Sequence, residues 1–137
     1  LHYRSHSFPT RRSSDLEVAG GKIPNNVDGI SMLPSMKGLK QKQHDYLYWE
    51  FPSYGVQQAV RMGNWKGIRQ KMSKAKKSSE LNTELYDLKN DPGESENIAN
   101  KHPEIIKKIE TIMSEAHVPS KLFPLLPEER QLARKTK

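Results

Sequence analysis

After residue 45 the apolar residues fall into two periodicities. Residues 46–51 (YLYWEF) alternate so that Leu47, Trp49 and Phe51 share one face, and aromatic side chains suit a pleated, half-buried strand. Pro52, Ser53 and Gly55 break that run. Residues 57–62 (QQAVRM) and 65–70 (WKGIRQ) flank Gly63-Asn64, two residues that tolerate positive φ, so a tight hairpin is predicted. Gly67 weakens its second strand or marks a bulge. Residues 84–88 (ELYDL) predict a fourth strand, closed by the turn signal Asn90-Asp91-Pro92-Gly93. The period then changes. Ile105, Ile106, Ile109, Ile112, Met113 and Ala116 form one apolar stripe at helical spacing, with Pro103 suited to the first turn and Pro119 ending the helix.

The remainder is less regular. Residues 17–44 read as a connector, with Gly20-Gly21, Asn25-Asn26, Asp28-Gly29, Pro34 and Gly38, and with at most a short helical turn in 28–38. Residues 71–83 predict a basic, serine-rich loop. Residues 127–137 predict a charged tail without a clear pattern. An amphipathic helix with no helical partner lays its stripe on a sheet. The expected fold class is therefore α+β, a small antiparallel sheet of about four strands packed against one long C-terminal helix.

Residues 6–16 (HSFPTRRSSDL) carry no helical or strand periodicity. One choice of codons for them reproduces a widely used short-read sequencing adapter. Residues 1–16 are accordingly set apart from fold reasoning, and the natural reading frame is expected to extend upstream of Glu17. The organisation expected is an adapter-derived segment (1–16), a connector (17–44), a subdomain (45–126) and the tail (127–137).

Composition narrows the function classes. The 137 residues are 34% hydrophobic and 28% charged, lean for an independent core. There is no cysteine, which removes disulfides, thiol catalysis and cysteine-ligated metals. No run of about 18 apolar residues exists, so no membrane partner is expected. The net charge is +7; Arg4, Arg11, Arg12 and Asp15 contribute +2 of it, which leaves +5 on residues 17–137. The lysines of 71–77 (KMSKAKK) and the basic tail fit either solvated loops or a surface for nucleic acid or a sulfated polyanion. The run is not interleaved with aromatics and no nucleic-acid-binding signature occurs, so nucleic acid is the weaker partner.

Five strings carry a family resemblance: DGISMLP (28–34), HDYLYWEF (44–51), QAVRMGNWKGIR (58–69), ELYDLKNDPGESENIA (84–99) and HPEIIKKIE (102–110). In this order and spacing they resemble the C-terminal part of bacterial sulfatases, the formylglycine-dependent enzymes of the alkaline-phosphatase-like superfamily. The resemblance implies a four-stranded antiparallel sheet with a long helix, appended to a large α/β domain. That domain, the missing N-terminal catalytic domain to which residues 17–44 would connect, would hold the formylglycine, made within a C/S-x-P/A-x-R motif, a calcium ion, and the groups that grip sulfate. The implied parent hydrolyses sulfate esters on a glycan or aryl substrate, and a periplasmic or secreted location suits it. The alternative is a free-standing basic α+β module.

Neither a catalytic residue nor a metal ligand is expected here, and no C/S-x-P/A-x-R motif is read in the chain. Ser35 and Ser53 have the wrong neighbours for the nucleophile motif, and Asp87 and Asp91 flank a turn. The chain is expected to be inactive alone, with no cofactor of its own, and to pack on the missing domain. Candidates for lining the substrate cleft are His44, Glu50, Gln58 and Arg61. Arg61 is able to grip a carboxylate or sulfate in bidentate fashion, or instead to pair with Glu50 across the strands. His102 is expected to flank the start of the helix and His117 to complement its C-terminus. Trp49, Trp65, Tyr46, Tyr48 and Tyr86 are expected in the core. If the uncovered sheet face packs on another domain, Trp49 or its neighbours should be exposed.

Overall fold

In the computed structural model, which describes residues 9–25, 27 and 29–135, four strands follow one another both in sequence and in space. They are β1 (Leu47–Phe51), β2 (Gln57–Met62), β3 (Trp65–Arg69) and β4 (Glu84–Asp87), antiparallel throughout. Residues 1–8 of the adapter-like segment, Asp28 and the last two tail residues lie outside the described part. The chain divides into two units, 1–44 and 45–137.

In the first unit, α1 (Pro9–Val18) corrects the expectation that the adapter-like stretch has no regular structure. No apolar stripe specifies it, so periodicity misses it. Its stop is Gly20 at φ 73°, with Gly20 N–H on the Glu17 carbonyl and Gly21 N–H on the Leu16 carbonyl, which is a Schellman ending. Two hydroxyls fix it locally: Ser13 Oγ donates to the Gly29 carbonyl and Ser14 Oγ accepts from Met32 N–H. The single turn α2 (Leu33–Met36) ends the same way at Gly38, φ 70°.

In the second unit the Gly63-Asn64 turn joins β2 to β3, with only Gly63 left-handed at φ 58°, the requirement of a type II′ turn. The register puts Tyr48, Val60, Gly67 and Leu85 in one row across the sheet. Above that row runs α3 (Pro103–Ala116), whose Ile109 and Met113 are completely buried with Val60 and Leu85. Gly67 causes no bulge: a Cβ there would meet Ile109 Cγ2 at 2.5 Å, so the glycine lets the helix come down onto the sheet. The free edge of β4 is covered by residues 97–98, through Ile98 N–H to the Leu85 carbonyl and Leu85 N–H to Asn97 Oδ1.

The predicted charged tail is instead a helix, α4 (Pro127–Lys135). Pro127 occupies its first turn with Glu128 and Glu129, and Arg134 and Lys135 its last, each charge placed to suit the helix dipole. Leu125, just before it, closes a second small core with Val56 and Met72. Val56 is held at φ 64°, unusual for a β-branched residue. Its carbonyl accepts from Met72 N–H, and Gly55's from Ser73 N–H, which locks the β1–β2 loop to the lysine-rich segment.

Candidate functional site

Alternation in β1 sends Tyr48 and Glu50 under α3 and leaves Leu47, Trp49 and Phe51 on the opposite face. The inward positions carry a continuous polar chain. Gln58, opposite Glu50 in the register and only 1% exposed, donates from Nε2 to the Tyr48 hydroxyl at 2.8 Å and to the Met113 carbonyl at 3.2 Å. Its Oε1 accepts from Arg69 Nη1 at 3.2 Å. Arg69 reaches on to Thr83 Oγ1 (3.0 Å) and Glu110 Oε1 (3.1 Å). In the other direction the Tyr48 hydroxyl donates to Glu50. Glu50 lies 2.5 Å from His117 Nδ1, and His117 Nε2 lies 2.7 Å from Glu129. The chain thus crosses β3, β2 and β1 and ends on α4.

The charges follow from these contacts. Burial raises the Tyr48 phenol well above its ordinary value, the neighbouring Glu50 adds to the rise, and Gln58 opposes it. Burial works against the His117 imidazolium, yet hydrogen bonds to Glu50 and Glu129 outweigh it and raise the pKa. Burial likewise works against the Glu129 carboxylate, and His117 with the N–H groups of Leu125 and Leu126 overcomes it, so that pKa falls. Both ring nitrogens of His117 are occupied and its side chain is 6% exposed. The network orients β1, α3 and α4; it presents no free acid, base or nucleophile.

The three sequence candidates of the second unit lie on two faces of the sheet. Glu50 and Gln58 belong to the inner network. Arg61 lies on the other face, opposite Leu47, with Nε on the Gly63 carbonyl at 3.2 Å, so the Arg61–Glu50 pair does not form. His44 is exposed in the first unit. His102 stands at the start of α3 as expected, its ring 4.9 Å from that of Trp65. Tyr48, Trp65 and Tyr86 are packed or buried, whereas Tyr46 and Trp49 are exposed, correcting their assignment to the core. Sequence reading missed Arg69, Tyr48 and Glu129. A signal existed in the alternation that puts Tyr48, Glu50, Gln58 and Arg69 on one face, but it is a polar one.

No group of three His, Asp or Glu side chains among the described residues is placed to hold a metal ion. Asp91 instead accepts from Glu96 and Ser95 N–H, which holds its carboxyl below the usual range and shapes the turn. One string, Ser7-Phe8-Pro9-Thr10-Arg11, does satisfy C/S-x-P/A-x-R, correcting the view that the chain has no such motif. It lies within the adapter-like stretch, and Ser7 is outside the described residues. Among the described residues, no set of side chains fits a calcium centre of that kind.

The family described as N-sulphoglucosamine sulphohydrolase, C-terminal, matches residues 12–118. The chain belongs to this family. The chain is 35% identical over 92 residues to a Delta 4,5-hexuronate-2-O-sulfatase of Bacteroides thetaiotaomicron, covering 66% of this chain and 18% of that protein. It is 28% identical over 105 residues to arylsulfatase K of Bos taurus, covering 69% and 18%. A solved 2-O GAG sulfatase superposes with a TM-score of 0.61 at 27% identity, over 75% of this chain and 22% of that one. The resemblance to the C-terminal part of sulfatases therefore holds, as does the α+β fold it implied. The chain spans about a fifth of the length of the relatives it matches.

Proposed function

We propose that the chain is the C-terminal subdomain of a longer sulfatase that hydrolyses sulfate esters on a polyanionic saccharide. The family match over 12–118 carries this reading. The saccharide is supported by relatives named for 2-O-sulfated hexuronate and for glycosaminoglycan. The formylglycine and calcium would come from the rest of the longer protein, since no group of side chains among the described residues would hold the metal. The subdomain would pack through the face bearing Leu47, Trp49 and Phe51, and His44 and Arg61 would lie toward the substrate cleft. Glu50 and Gln58 would act there indirectly, by fixing β1 and β2.

The test begins with the natural genomic DNA upstream of Glu17, which should encode, in the same frame, a C/S-x-P/A-x-R motif other than the adapter-like Ser7–Arg11 string. The intact protein should release sulfate from a sulfated uronic-acid disaccharide. Arg61→Ala should raise KM for that substrate with little change in kcat. A native start codon just before Glu17, or an intact protein that releases no sulfate from saccharide or aryl esters, would refute the proposal.

A further inference from the structure

α4 is laid along the lysine-rich segment by backbone contacts. Arg130 Nη2 donates to the carbonyls of Met72 (2.5 Å) and Ala75 (3.4 Å), and Gln131 Nε2 donates to that of Lys76 (2.5 Å). At the near end, Glu128 accepts from Ser78 N–H at 2.7 Å and from its hydroxyl at 2.5 Å. Between α4 and residues 121–124 a groove of about 390 Å³ remains, lined by Lys121, Leu122, Pro124, Arg130, Ala133 and Arg134. Three of the six lining residues are cations and none is a carboxylate.

Two of those cations have no ion-pair partner, and the third, Arg130, feels Glu128. Among the described residues, Lys121 and Arg134 make no ion pair. Arg130 Nε is buried and has no acceptor. A buried N–H without a partner costs about 1–3 kcal/mol, so structures seldom keep one without a reason. Burial and the nearby charge of Arg134 depress the Arg130 pKa, and Glu128 opposes them. A tetrahedral oxyanion in the groove would accept charge-assisted hydrogen bonds from the exposed Lys121 and Arg134 and offset the repulsion between Arg134 and Arg130.

We propose that this groove binds a sulfate group of a sulfated saccharide. The saccharide rests on the sulfatase reading above; the shortage of counter-charge in the groove does not. No aromatic side chain lines the groove, so it offers no stacking platform for a nucleobase.

The whole 137-residue chain is titrated by calorimetry with a heparin hexasaccharide, its desulfated form, sodium sulfate at matched ionic strength, and a single-stranded oligothymidylate of equal charge. Lys121 and Arg134 are exposed, so Lys121→Gln/Arg134→Gln removes charge without disturbing packing. Lys107→Gln/Lys108→Gln, on the exposed side of α3, removes the same charge elsewhere. The groove pair should weaken hexasaccharide binding about tenfold, the scale of one charge-assisted hydrogen bond, and the α3 pair less than about twofold. Arg134→Lys should retain most of the affinity, and thermal melts of all variants should coincide with the parent's. Equal losses from both pairs would overturn the proposal in favour of diffuse attraction. Binding of inorganic sulfate alone would remove the saccharide, and oligothymidylate binding as tight and as sensitive to the groove pair would assign the groove to nucleic acid. None of these outcomes depends on whether the longer protein releases sulfate.

Discussion

Gly67 sits in mid-strand, paired with Val60 on one side and Leu85 on the other, with Ile109 directly above it. Its φ lies outside the left-handed region, so conformational freedom is not the reason for glycine. The reason is space: an added Cβ would stand 2.5 Å from Ile109 Cγ2 and 3.0 Å from Cδ1. Overpacking of this kind costs about 1–3 kcal/mol, because the helix must rise or Ile109 must leave its rotamer. Gly67→Ala should therefore lower stability by that amount in urea denaturation. In an Ile109→Ala background, already weakened by a cavity, the same change should cost almost nothing. Additive costs would mean that something other than the α3 contact excludes the side chain. A glycine inside a strand pattern announces a bulge or a close approach. Local sequence does not separate the two, since the deciding neighbour is 42 positions away, at Ile109.

At the scale of elements, the helix and strands specified by apolar period were legible and those specified by polar contacts were not. α3 and the β2–β3 hairpin follow from the stripe and from Gly63-Asn64. α4 has only Leu132 and Ala133 as apolar positions beyond Pro127, and Leu132 is exposed, so no apolar stripe announced the helix. Its anchors are Glu129 on His117, Glu128 on Ser78 and Arg130 on Met72. The same limit applied to the inner network. A buried Gln58 among charged neighbours has the alternation of a strand face but none of its hydrophobicity, and it read as a surface position facing substrate. The polar anchoring makes α4 sensitive to pH. The folded-state pKa of His117 is raised above its ordinary 6.5, so its contribution is complete below 6.5 and is lost as pH rises through the raised value. The folded-state pKa of Glu129 is lowered below its ordinary 4.5, so its contribution is complete above 4.5 and fades as pH falls through the lowered value. Docking of α4 should be firmest between pH 4.5 and 6.5. Amide hydrogen exchange of residues 127–135, corrected for intrinsic rates, should accelerate relative to α3 as pH is raised beyond that window. His117→Asn should remove this dependence. Equal protection of α4 at pH 6 and pH 9 would show that the clamp on His117 does not hold the helix.

For the whole molecule the decisive feature is the sheet face that α3 leaves bare. Leu47, Trp49 and Phe51 were read as one face of a strand, and they are one face, but the outward one. Trp49 and Phe51 are each 48% exposed, and Phe51 stacks on Tyr54, their centroids 5.9 Å apart. β1 is also the open edge of the sheet, since β4 is covered by residues 97–98. Apolar area beside an unpaired strand edge favours association, because each half-exposed aromatic gains about 1 kcal/mol on leaving water and the edge offers a ready ladder. The isolated chain should consequently self-associate at tens of micromolar concentration. Trp49→Ser combined with Phe51→Lys should give a monomer by light scattering without lowering the melting temperature, since neither side chain contributes to the Val60–Leu85–Ile109–Met113 core. In a longer sulfatase the same pair should have the opposite value and loosen the subdomain, seen as faster proteolysis near residue 45. A wild-type chain that stays monomeric at high concentration would sink the first expectation. Unchanged proteolysis in the longer protein would mean that its partner domain sits elsewhere on the sheet.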